Sequence, residues 1–146
     1  MKKNVFIIAV LCALLGLASC DNRQPDCKYH ALTRDLTVMQ VDWQWDASNK
    51  QFFYHFDLPE VTPYIYNYGN WAICREYNYG KANAYQVALP QTVYYTEQVD
   101  STTIYYSQLI DYAIGVGYVE IVLTNSDYFY DANNPETMHF RLQLIY

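Results

Sequence analysis

The sequence predicts an all-β protein: an antiparallel β-sandwich of immunoglobulin-like size, with about seven strands and one short helical crossover. Three observations carry this. Apolar residues recur with period two through most of the chain beyond position 36. Turn-forming residues punctuate that pattern at short intervals, with no βαβ rhythm. Seventeen of the 146 residues are tyrosine, which suits half-buried strands because its ring packs in the sheet while its hydroxyl stays wet. A closed barrel is the alternative. The Cys–Trp–Cys spacing of true immunoglobulin domains is absent.

The first strand is expected in LTVMQVDWQW, where Met39, Val41, Trp43 and Trp45 share one apolar face and Gln40, Asp42 and Gln44 the other. DASNK is a turn. QFFYHFDL follows, with Phe52, Tyr54, Phe56 and Leu58 on one side, so the two segments read as a hairpin. In PEVTPYIYNYGN, Thr62 suits a helix cap and Pro63 the first helical position. Gly69 suits a left-handed stop. One helical turn over 63–68 should therefore cross between the sheets. WAICREYNY and AYQVALPQTVYY flank the turn GKAN, and Pro90 marks an edge or bulge in the second of them. STTIYYSQLIDYAI is the next strand, Gly115 and Gly117 form a corner, and YVEIVLT follows. SDYFYDANNPE is a loop. In the closing TMHFRLQLIY, Met138, Phe140, Leu142, Leu144 and Tyr146 alternate with His139, Arg141 and Gln143.

The N-terminus has a different grammar. Lys2 and Lys3 precede an apolar run over 5–15, too short to span a bilayer comfortably, and small residues follow it. Leu17-Ala18-Ser19-Cys20 has the form of a lipobox, so residues 1–19 read as a lipoprotein signal peptide and Cys20 as the lipidated first residue of the mature chain. The alternative is ordinary secretion, with cleavage after Ala18. Several acyl chains, at about 0.8 kcal/mol per buried methylene, anchor a protein without spanning the membrane. Residues 20–35 are polar, aperiodic and contain Pro25, so they read as a tether; 36–146 is the folded domain. Removal of 1–19 leaves 7 basic residues against 15 acidic ones, a net charge of −8. That balance argues against nucleic acid and anionic headgroups as partners.

The lipobox, "DLPEVTPYIYNYG", "LPQTVYY", "GYVEIVLTNSDY" and the ending "PETMHFRLQLIY" resemble, over nearly the whole mature chain, a group of small lipoproteins of Bacteroidetes-type bacteria. The resemblance implies a β-sandwich lipid-anchored to the outer membrane, on its periplasmic face or at the cell surface, and supplies no biochemical activity to carry over. In that lineage, acidic residues after the lipid cysteine accompany export to the outer face, and Asp21 is one such residue.

No catalytic motif stands out. The chain has no G-x-S-x-G and no glycine-rich phosphate cradle. His30, His55 and His139 have no cysteine, histidine or carboxylate at ligand spacing, so no metal site is expected. A carboxylate pair for glycoside hydrolysis could be assembled from Asp42, Asp57, Glu76 or Glu120, but with this many acids on outward strand phases such a pair is expected by chance. Asp127, Asp131, Asn133 and Asn134 form an oxygen-rich loop without EF-hand order, explained equally by turn propensity. Cys27 and Cys74 would staple tether to domain if paired; the simpler reading is a reduced, buried Cys74. The remaining candidates are aromatic. Tyr64, Tyr66, Tyr68, Trp71, Tyr77 and Tyr79 crowd the crossover and the strand after it, where flat rings suit a glycan or protein ligand. Trp43 and Trp45 are expected in the core. The expectation is a lipid-anchored, non-catalytic binding module without a cofactor, taking a glycan or an envelope protein. A structural subunit of a surface assembly, acting through its final and edge strands, is the alternative, and an envelope hydrolase stands behind both.

Overall fold

The computed structural model describes residues 30–99, 101–128 and 135–146. Two antiparallel sheets pack face to face. The strands are β1 (Ala31–Val38), β2 (Gln44–Asp46), β3 (Gln51–Asp57), β4 (Asn70–Tyr77), β5 (Tyr85–Ala88), β6 (Gln91–Val99), β7 (Thr102–Gly115), β8 (Tyr118–Asn125) and β9 (Met138–Ile145). The four-stranded sheet runs β1-β9-β4-β5 and the five-stranded sheet β2-β3-β8-β7-β6. The sandwich expected from the alternation is present, with nine strands in place of about seven.

Both extra strands come from breaks inside segments that read as continuous. The apolar alternation from Leu36 to Trp45 is interrupted by a 3-10 turn at Gln40–Asp42. Before the turn, the inward phase is Leu36 and Val38, both buried. Met39 and Val41, expected inside, are 50% and 87% exposed. Trp43 and Trp45 do pack against the core as expected. β1 also begins at Ala31, within the stretch read as tether, because Ala31 to Val38 pair in unbroken register with Ile145 to Met138 of β9. The second break is at Pro90. This residue is neither an edge nor a bulge inside one strand: β5 ends before it in the four-stranded sheet, and β6 begins after it in the other.

The crossover forms as expected. Helix α1 (Pro63–Tyr68) is capped by Thr62, whose Oγ1 accepts from the Ile65 backbone N–H, and Pro63 opens it. Gly69 is not in the left-handed region; its φ is −77°. Space explains the glycine: a Cβ would lie 2.7 Å from the Ile65 carbonyl oxygen and 3.2 Å from Leu144. Gly117, by contrast, needs its φ of 85° to turn β7 into β8.

The core lies between the sheets, around Val38, Phe52, Ile73, Ile110, Ile121, Leu123, Phe140 and Leu142. β9 supplies Met138, Phe140, Leu142 and Leu144 in the predicted phase, and β3 with the residue after it the predicted face of Phe52, Tyr54, Phe56 and Leu58. β7 outruns its neighbour: residues 102–107 pair only with β6, as a two-stranded ribbon past the end of β8.

Candidate functional site: a fork in the four-stranded sheet

The six predicted aromatics do not form one platform. Tyr64, Tyr66 and Tyr68 stand exposed on α1, with the Tyr64 and Tyr68 rings 5.1 Å apart, one helical turn from each other. Tyr66 tilts against Trp71 at 6.0 Å, and Trp71 packs partly into the core. Tyr77 and Tyr79 lie at the far end of β4, about 20 Å further along at the strand rise. Tyr77 stacks on Tyr85 at 5.0 Å, and Tyr79 stacks on His139 at 4.0 Å.

The second group belongs to a cleft. Ladder pairing between β4 and β9 ends at Glu76–His139. Beyond it β4 stays with β5 through Tyr77–Tyr85, while β9 stays with β1 through Met138–Val38. The sheet therefore splits. A cleft of about 350 Å³ opens between Tyr77, Asn78, Tyr79 and Lys81 on one wall and Glu136, Thr137 and Met138 on the other. Its volume lies within the range of small-molecule sites. Asn78, at φ 54°, turns the first wall away from the sheet. The second wall is pinned from outside: Trp43 Nε1 donates to the Glu136 carbonyl at 3.1 Å, and the Gln40 backbone N–H to Thr137 Oγ1 at 3.1 Å.

Arg75 lines the cleft from the inward phase of β4, which it shares with Trp71, Ile73 and Tyr77. It is 5% exposed. Its Nη2 donates to Glu136 Oε1 at 2.6 Å, and the guanidinium lies 4.4 Å from the Tyr77 ring centre. Nη1 is buried with no hydrogen-bond partner among the described residues. On the outer face of the same sheet, Arg141 Nε donates to Asp35 at 2.7 Å, and Arg141 Nη2 lies 3.8 Å from Glu76. That bond holds the Asp35 carboxyl below the usual carboxylate range and raises the Arg141 guanidinium.

The acids named as hydrolytic candidates are not gathered. Glu76 lines the fork, but on its outer side against Arg141. Asp57 and Glu120 flank His55 at 3.5 and 3.2 Å on the outer face of the five-stranded sheet, and His55 stacks on Tyr118. Neither lines the fork or the second cleft described below. Asp42 sits in the 3-10 turn. Among the described residues no cluster of three or more His, Cys, Asp or Glu forms a metal cage. Cys74 is a half-buried free thiol. Cys20, Cys27, Asp131, Asn133 and Asn134 lie outside the described residues.

Sequence reasoning did not single out Arg75, Lys81, Glu136 or Thr137. A signal existed for the first: in WAICREY, an arginine occupies the apolar phase. It also passed over a second cleft of about 300 Å³ on the β6–β7 ribbon, lined by Tyr94, Tyr95, Tyr105, Tyr106, Ser107 and Ser126. There Tyr95 and Tyr106 stack at 5.2 Å, while Tyr94 and Tyr105 are 82% and 77% exposed.

No helix among the described residues is long and apolar enough to cross a membrane. Comparisons with family models, curated proteins and solved structures find no match for this chain.

Proposed function

We propose that this chain is a lipid-anchored protein of the cell envelope whose β-sandwich is a non-catalytic binding module, with the fork as its site for a glycan or protein ligand. The observation that carries the reading is the fork itself: a buried guanidinium with unused donors beside stacked, partly exposed rings. Such a cation is costly to keep for stability alone. The lipobox ending at Cys20 supports the anchor.

The test is a pull-down with the full, lipidated chain from its native envelope, with bound proteins and glycans identified. Specific capture that weakens when Tyr79 is replaced by Ala is expected; capture of nothing sinks the reading. For the anchor, Cys20→Ala should move the chain out of the membrane fraction, and unchanged fractionation would count against lipidation.

A structural role in a surface assembly keeps one observation in its favour. β6 is an edge strand of nine residues with no lysine and no proline, two common guards of open edges. The final strand is not available for strand addition, because β9 is paired on both sides. An assembly built through β6 predicts that Thr96→Pro abolishes a complex isolated by mild extraction.

A further inference from the structure

Resting on the binding reading, the fork's chemistry narrows the ligand. Arg75 is the only buried charged side chain among the described residues. A guanidinium presents five N–H donors in a fixed planar array, and here Nη1 has no acceptor among the described residues. A buried charged donor left unpaired costs free energy that an incoming acceptor recovers. Glu136 is the internal guide to what fits: its carboxylate sits on Nη2, yet its side chain is 66% exposed. That carboxylate can exchange into solvent, whereas Arg75 cannot leave. Lys81 lies on the opposite lip from Glu136 and adds a second cation. Two of the chain's nine basic residues thus meet in one cleft of an acidic protein.

The rest of the lining suits a sugar ring. Tyr79 is covered on one face by His139 and is still 49% exposed, which leaves ring surface for an apolar sugar face. Asn78 and Thr137 place amide and hydroxyl groups on facing walls.

We propose that the fork binds a carboxylate-bearing saccharide, a uronic acid unit. Its carboxylate takes both terminal nitrogens of Arg75 as Glu136 swings into solvent, and its ring lies against Tyr79. A free peptide carboxylate would satisfy Arg75 but would leave the ring and the facing polar groups unused.

Calorimetric titration of the full chain tests this, with trisaccharides of galacturonate, glucuronate and mannuronate, their methyl esters, and N-acetyl-dialanine as a peptide acid. At least one acid should bind saturably, with its ester about tenfold weaker or worse, as expected on losing a bidentate charged contact. Arg75→Lys should weaken the acid about tenfold, since an ammonium is a point charge and not a planar fork. Should that variant fail to fold, Lys81→Ala and Tyr79→Ala, both at exposed positions, should each weaken binding several-fold. Glu136→Gln should tighten it, because a competing carboxylate is gone. Equal binding of acid and ester, tighter binding of the peptide acid, unchanged binding by these variants, or no binding of any of the three acids would overturn the proposal. If the envelope pull-down still captures a ligand in that event, the binding-module reading stands; if both fail, it falls as well.

Discussion

Where α1 crosses between the sheets, Leu58, Val61 and Ile65 are buried, and the chain is tied to the β7–β8 turn by two backbone bonds: Leu58 N–H to Gly117 O at 2.7 Å and Gly117 N–H to Val61 O at 2.8 Å. At the opposite end lie the three buried polar side chains found among the described residues, Arg75, Gln108 and Asn125. Gln108 Nε2 donates to Asn125 Oδ1 at 3.0 Å where β8 ends, and Arg75 floors the fork. Both ends close the same two sheets, so the architecture does not require the polar one. The difference teaches that one end of the sandwich is closed by apolar side chains while the other keeps its buried polar groups.

The plugged end should be the easier one to break. Ile65→Ala removes a side chain that is 6% exposed and should cost about 2–5 kcal/mol in urea unfolding. Gly69→Ala forces a methyl against the Ile65 carbonyl and Leu144 and should cost about 1–3 kcal/mol; a neutral result would mean α1 can shift without loss. At the forked end, Arg75→Met replaces a buried cation by an apolar side chain and should leave the unfolding free energy within about 1 kcal/mol of the parent, or raise it, while abolishing acid binding. A large loss there would make Arg75 a structural residue and erase the contrast.

The smallest effect concerns pH. Asp35 is held below its ordinary value by Arg141, Asp46 by Asn49, and Glu60 by Arg34. Each carboxylate is lower in the folded state than in the unfolded one, so its contribution is complete above the unfolded value, near 4, and is lost as pH falls through the lowered folded value. The urea midpoint should decline between about pH 5 and pH 3, less steeply in Asp35→Asn and in high salt, because Asp35 is exposed and Asp46 and Glu60 are only partly covered. An identical slope in the variant would remove Asp35 from the account.

How much of this could be read beforehand depended on whether the evidence was local. Thr62, Pro63 and the alternations of 52–58 and 138–144 each carry their signal within a few residues, and those elements form as read. Met39 and Val41 misled because a 3-10 turn leaves period-two spacing intact while changing which side is buried. Pro90 showed a break in pairing but not that the chain changes sheets there. Two of the fork's tyrosines were named in advance. Arg75 was visible as a cation in an apolar phase. Its meeting with Glu136, 61 residues away, depends on β9 lying between β1 and β4, and nothing near either residue encodes that order.

His30 and Tyr146 bond to each other through both backbone groups, at 2.8 and 2.9 Å, at the plugged end. If the chain is held by lipid on Cys20, the ten residues to His30 span at most about 35 Å, and strands of eight residues carry the sandwich about 26 Å further. Whichever way the domain turns on that tether, the fork would stay within a shell no deeper than roughly 60 Å from the point of anchoring.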